Sequence, residues 1–338
     1  MTKRRYVKFV VAGQIRNEFI IDVNGKVLPN QQGGSLLYAA ASVNHWGDRV
    51  GLVGVVDRNY PRQLLQGLEK FNLDIRGIKI ADEEFELRSF LAYPDSHTCI
   101  CDNPVAVFAA NNLTYPKELL GYVFDQDEPL RQKFALYSKI LLESIPDDYN
   151  DAVGAHICPL DVTCQIKLAT MLQKGAVRTL TLQPHYATMV PERIEEVAVL
   201  AKDTSAIIMH EMELRNLFLS RSDNLWEMMA TVCGFGCNVV IVKNKQNGYS
   251  LFDAYSKEKF LVPDYPSRTI DPTGEVDVFC GAFLAEYLET YNSLAAAIQG
   301  SAAASIKKEG SGPFSIDSSL PGLDIARMEH IRGRVVKI

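Results

Sequence analysis

Residues 271–279 read Asp-Pro-Thr-Gly-Glu-Val-Asp-Val-Phe, a helix-breaking turn that runs straight into an apolar-periodic helix. Val276, Phe279, Cys280, Phe283, Leu284, Tyr287 and Leu288 recur at the spacing of one helix face. Asp277 falls in the first turn, off that face. The turn ahead of it presents backbone N–H groups without intrahelical acceptors, and those amides together with the helix dipole favour an anion. A carboxylate beside an anion cradle suits phosphoryl transfer: amides hold the phosphate, and the carboxylate takes a proton from the attacking hydroxyl. The same residues also serve as plain helix capping, since Asp, Thr and Gly are common ahead of a helix and an acid in the first turn complements the dipole. The rest of the chain decides between the two.

The elements that must position this turn alternate along the sequence. Tyr6–Ala12 and Val50–Val56 read as buried strands, with an Ala-rich helix over Ser35–Trp46 between them and a helix over Arg62–Lys70 after them. Leu136–Leu142, Thr179–Leu182, Ala206–Met209 and Val239–Val242 read as further short strands. Helical patterns lie near 162–173, 191–201 and 211–233, and a final pair covers about 274–289 and 293–308. Alternation of this kind predicts a mostly parallel sheet covered on both faces, with a ligand site at the carboxyl ends of the strands. Phe19–Val23, Phe85–Tyr93 and Thr98–Cys101 read as strands without intervening helices and predict a small antiparallel flap. No linker divides the chain, so residues 1–338 are read as one domain whose lid comes from segments 15–24 and 85–101.

Composition narrows the function classes. The chain has 338 residues, 47% hydrophobic and 22% charged, with a net charge of −6. No segment gathers Lys and Arg, which argues against a nucleic-acid partner. No run of 18 apolar residues exists, which argues against a helical membrane span. The seven cysteines are odd in number and lack zinc spacing, and the first apolar stretch is interrupted by Lys8. Reduced thiols in a cytoplasmic protein are the simplest account.

With these pieces in order, the chain resembles the ribokinase-like (PfkB) family of sugar and nucleoside kinases over nearly its whole length. The family carries Asp-Thr-x-Gly-Ala-Gly-Asp-x-Phe near its C-terminus, and 271–279 is similar to it. The resemblance implies a three-layer α/β/α fold with a mostly parallel central sheet and a small antiparallel β lid. It implies Asp277 as catalytic base and Gly274, Glu275 and Val276 as the anion hole. Gly33-Gly34 resembles the family's hinge between body and lid, ahead of an Ala-rich helix in which Asn44 matches an Asn near the substrate. His210-Glu211-Met212-Glu213 resembles the family's Asn-x-x-Glu, which makes Glu213 a holder of Mg²⁺ through water. Val242-Lys243-Asn244-Lys245-Gln246-Asn247-Gly248 resembles the strand-turn-strand along the nucleotide. Lys243, Gly248, Thr273 and Ala303 are implied nucleotide-binding positions, and ATP and Mg²⁺ the implied cofactors. Gly281, one turn beyond Asp277, is expected to leave room over the site.

The departures from the family pattern define the open questions. The family's Ala-Gly is Glu275-Val276 here, and a β-branched Val resists the positive φ that Gly permits. Glu275 adds a negative charge beside the phosphate site. Glu18 stands where an early Asp grips substrate hydroxyls, and Arg16 holds a place often given to a small polar residue. A guanidinium there suits an anionic or planar substrate. The leading reading is an ATP-dependent kinase acting on a hydroxyl of a sugar-like small molecule, with a nucleoside as the alternative acceptor. The other reading is a family member with weakened transfer that binds a ligand or regulates. An exposed flap is also a pairing surface for a homodimer.

Overall fold

The computed structural model describes residues 6–124, 128–245 and 248–338. The chain opens with β1 (Phe9–Ala12), β2 (Arg16–Ile21), β3 (Val27–Gly33) and α1 (Ser35–Trp46). There follow β4 (Val50–Asp57), α2 (Arg62–Leu68), β5 (Asp74–Ala81), β6 (Arg88–Ala92), α3 (Pro104–Ala110) and α4 (Glu128–Glu143). The middle of the chain gives β7 (Gly154–Ile157), α5 (Val162–Lys174), β8 (Thr179–Leu182), α6 (Ile194–Ala201), β9 (Ala206–His210), α7 (Glu211–Leu217) and α8 (Leu225–Gly234). The last part gives β10 (Val239–Lys243), β11 (Tyr249–Asp253), β12 (Lys259–Val262), α9 (Glu275–Thr290), α10 (Ser293–Lys307), α11 (Leu323–Arg332) and β13 (Val336–Lys337).

The main sheet runs β13-β12-β11-β10-β9-β8-β7-β1-β4-β5. It is parallel from β5 to β10 and antiparallel beyond. Both faces are covered, and single strands show why their sequences are continuous apolar runs. On β9, Ala206 and Ile208 pack with Phe279 and Phe283 of α9, while Ile207 and Met209 pack with Leu214 of α7 and Met228 of α8. The order reverses at β1, which lies between β7 and β4, so the carboxyl ends of β1 and β7 flank a switch point where open α/β sheets bind ligands. This is the three-layer α/β/α architecture expected above. Among the described residues no helix is long and apolar enough to cross a membrane.

The smaller sheet has the order β3-β2-β6. Its β2–β3 pair is antiparallel, and β6 adds to the other edge in parallel. The two expected lid segments thus supply β2 and β6, and β3 joins them from residues 27–33. Thr98–Cys101 contributes only a bridge between Ala92 and Ile100. The face carrying Phe19, Ile21, Phe90 and Ala92 is covered by Phe108 of α3 and by Leu119. The lid therefore has a small core of its own.

Two sequence expectations change. Leu136–Leu142 lies inside α4, where Tyr137, Ser138 and Leu141 are buried at helical spacing while Lys139 is exposed. The strand at this point of the topology is β7, Gly-Ala-His-Ile, whose only strong β-former is Ile157. Pairing with β1 on one side and β8 on the other imposes its conformation. The pattern over 211–233 is two helices, α7 and α8, separated at 218–224.

Candidate active site

The turn before α9 is the centre of the site. Gly274 is the N-cap with φ 73° and ψ 13°, and the helix begins at Glu275. Left-handed backbone is thus confined to a glycine, while Val276 lies in regular helix. The Val that replaces the family's Gly needs no unusual backbone. The Glu275 amide turns back to the Pro272 carbonyl at 3.1 Å and the Val278 amide to Gly274 at 2.9 Å. The amides of Gly274, Val276 and Asp277 make no hydrogen bond among the described residues and are the ones available to an anion. The cradle is thus Gly274, Val276 and Asp277, with the Glu275 amide left out of it.

Asp277 lies on the floor of a cleft of about 550 Å³ together with Gln183, His210, Glu213 and Tyr93. Burial pushes its carboxyl up to about 7, and Lys307 offsets part of that. Glu213 is also raised to about 7 by burial, against a hydrogen bond from the His210 amide at 2.8 Å. The His210 ring in turn accepts from the Glu213 amide, so the pair forms a capping box at the start of α7. Capping and cleft-lining are both true of Glu213. His210 itself is held toward the neutral form by burial.

Glu275 does not face the phosphate cradle unpaired. Its carboxylate bridges Lys243 at 2.9 Å and Lys308 at 3.1 Å, and Lys243 reaches on to Asp264 at 2.7 Å. Two cations and two anions make a neutral chain along a second cavity of about 440 Å³ that adjoins the first. Burial alone would lower the Lys243 pKa, but Glu275 and Asp264 raise it overall. Lys243 lines both cavities. Gly248 does not: with φ 72° it closes the 244–248 turn, its carbonyl accepting from the Asn244 amide at 3.0 Å. Gln246 and Asn247 lie outside the described residues. Ala303 is fully buried in a cluster with Tyr38, Val278 and Ile306, so it packs the core and cannot touch a nucleotide. Thr273 ties the cradle to the lid, its hydroxyl donating to Tyr93 Oη at 3.0 Å and its amide to Asp271 Oδ1 at 2.9 Å.

On the acceptor side, Glu18 is a buried brace. It accepts from the Gly34 amide and the Tyr38 hydroxyl, each at 2.8 Å. A side chain at Gly33 would collide with its carboxyl, which explains the di-glycine by close approach. Burial raises Glu18 to about 7. Arg16 donates to Gln14 Oε1 at 3.0 Å and to the Glu86 carbonyl at 2.6 Å, so its guanidinium stitches the lid base. Asn44 donates to the Phe71 carbonyl at 3.1 Å and borders neither cavity. Gly281 does not open the site either: a Cβ there would meet the Ala39 carbonyl at 2.2 Å, so it lets α9 pack on α1.

Several site residues went unread in the sequence. Tyr38 lies one turn into α1, and Gln183 directly follows β8. Tyr93 follows β6, and Ser96 and His97 from the lid border both cavities. The lid is pinned to the turn at a second point, where the Val23 amide donates to the Ile270 carbonyl at 3.1 Å.

Comparison with known proteins gives the family and the fold. Residues 23–317 match the model of the pfkB family carbohydrate kinases. The cytidine kinase of Thermococcus kodakarensis is 25% identical over 278 residues, 82% of this chain and 87% of that protein. The nucleoside kinase of Burkholderia thailandensis, solved with inosine, superposes with a TM-score of 0.67 at 14% identity, over 96% of this chain and 99% of that one. An E. coli protein provisionally named Ribokinase II, solved with ATP and Mg²⁺, gives a TM-score of 0.66 at 19% identity, over 97% and 99%. At such identities the structures establish the shared fold.

Proposed function

Because the chain belongs to the pfkB family of carbohydrate kinases, we propose that it transfers a phosphoryl group from ATP to a hydroxyl of a sugar-like small molecule, with the ribose of a nucleoside as the favoured acceptor. The observation that carries the reading is the Asp277 carboxyl, raised to about 7, beside three backbone amides with no other partner among the described residues. A base poised near neutral pH within an anion cradle suits proton removal from an alcohol as phosphate arrives.

The residues fit the cofactors. Among the described residues no three His, Cys, Asp or Glu side chains gather into a metal cage. Mg²⁺ does not require one, since it keeps several waters and relies on one or two carboxylates plus substrate phosphates. Glu213 and Asp277 border the same cleft and would hold it through water. Lys243 and Lys308, already balanced by Glu275 and Asp264, line the adjoining cavity where a nucleotide's phosphates would lie. When bound, the metal and nucleotide supply the phosphoryl group and neutralise its charge. The chain's own part is to hold the group on the amides of Gly274, Val276 and Asp277 and to take the hydroxyl proton on Asp277. The lid, anchored through Tyr93 to Thr273, excludes water.

The nucleoside preference rests on the cytidine kinase relative. The weakened-transfer reading, which also draws on His210 and Lys245, loses its support at the turn itself, because Val276 is helical and Glu275 is paired. Phosphorylation assays over nucleosides and sugars with ATP and Mg²⁺ test the proposal. Asp277→Asn is expected to lower kcat by about 10²–10⁴-fold with little change in Tm. Wild-type turnover from that variant would overturn it.

A further inference from the structure

Lys307, the last residue of α10, has no exposed side-chain surface. Its ammonium donates to the Asp271 carbonyl at 2.8 Å, lies 3.4 Å from Asp271 Oδ2, and stands over the Tyr38 ring at 5.2 Å from its centre. Asp271, itself fully buried, begins the cradle turn, and its other carboxylate oxygen caps the Thr273 amide. Lys307 thus grips both the backbone and the side chain of the residue from which the cradle is built. Its charge also acts beyond Asp271. Glu18 and Asp277 both feel it, and in each it opposes the rise that burial imposes.

A fully buried lysine is costly, and balancing Asp271 does not require one. An uncharged pair at 271 and 307 would fill the same space, and Asn at 271 would keep the Thr273 cap. Burial lowers the Lys307 pKa, and Asp271 and Glu18 oppose that fall; what an uncharged pair would not provide is a positive charge behind amides on which negative charge concentrates during transfer. In a site closed off from water such a charge acts with little screening. Lys308, the next residue, points to Glu275 on the nucleotide side, so the two neighbouring ammoniums serve different carboxylates.

We propose that Lys307 is a positioning residue for phosphoryl transfer, a built-in cation that fixes the 271–274 backbone and holds a positive field behind the amides of Gly274, Val276 and Asp277. The inference rests on the reading of this turn as the phosphoryl site.

The test measures kcat, KM for ATP and acceptor, and Tm for Lys307→Met and for the double variant Lys307→Met with Asp271→Asn. The single variant leaves a buried carboxylate unpaired and is expected to lose both Tm and activity. The double variant removes both charges and is expected to regain Tm, while kcat stays about 10²-fold down and both KM values move only a few-fold. Recovery of kcat to near wild type in the double variant would overturn the inference, because the lysine would then only balance Asp271. Failure of the double variant to fold would overturn it too, since only a role in the fold would explain that. Asp277→Asn is run alongside. If Asp277→Asn is inactive and the double variant active, the Lys307 inference alone fails. If Asp277→Asn is fully active, the reading of the turn fails and the inference with it.

Discussion

The ring of Tyr38 packs directly on the backbone of Gly274: a Cβ at position 274 would stand 2.2 Å from the ring Cγ. This contact joins α1 to the start of α9 at the cradle, and the Tyr38 hydroxyl continues it to Glu18 at 2.8 Å. Gly274→Ala therefore meets two penalties. Left-handed backbone costs a non-glycine residue about 1–2 kcal/mol, and overpacking against the ring adds about 1–3 kcal/mol. The expected result is a lower Tm and a loss of kcat, because relief of the clash tilts the cradle amides. A double-mutant cycle with Tyr38→Ala isolates the contact. The double variant is expected to be less destabilised than the sum of the singles. Simple additivity in the unfolding free energies would show that the ring does not press on the turn.

Activity and stability are expected to run in opposite directions with pH. In its proposed role as base Asp277 works only when ionised, so kcat/KM should rise through about pH 7 and level off above it. Glu18, Glu213 and Asp277 all have folded pKa values of about 7 because burial disfavours the charged form. A group raised on folding adds stability that is fully present below its unfolded pKa and is lost as pH rises to the folded one. For Glu18 that window runs from the ordinary value of 4.5 up to about 7. Glu18→Gln should then gain in Tm relative to wild type as pH climbs across this window and change no further above it. A constant difference between the two proteins from pH 4 to 8 would contradict the assignment.

The legible parts of this molecule are those where a short segment determines its own structure. The 271–283 stretch carries both its breaker and its apolar face, and α9 follows it closely. Ser35–Trp46 is a helix as read, because small apolar residues fill all sides of a buried element. What was not legible depends on distant segments. Tyr38 reads as one more core residue of that helix until Glu18 and Gly274 are brought to it from opposite ends of the chain. Lys307 reads as a basic residue complementing a helix C-terminus, and only the approach of Asp271 and Tyr38 reveals it as a buried charge. Glu18 reads as a substrate contact by its place in the sequence, while the contacts of its carboxyl to Gly34 and Tyr38 come from segments only the fold brings to it. The β7 strand is set by its neighbours in the sheet and not by its own residues.

The neutral chain of Lys308, Glu275, Lys243 and Asp264 gives the last prediction its sign. Glu275 is the shared anion of two lysines that border the proposed nucleotide cavity. Replacing it by Gln removes one negative charge and leaves the two ammoniums with only Asp264 for balance. A polyphosphate approaching that cavity then meets a net positive surface, so KM for ATP should fall several-fold. Asp277, the proposed base, is untouched, so kcat should hold. Both lysines are partly open to solvent, and ions screen charges at such separations over about 10 Å at 0.1 M salt. The gain should accordingly shrink as salt is added. Measuring KM for ATP across an ionic-strength series in wild type and Glu275→Gln checks the argument. A higher KM in the variant at low salt would show instead that Glu275 holds Lys243 and Lys308 in the geometry the nucleotide requires, and that position matters there more than net charge.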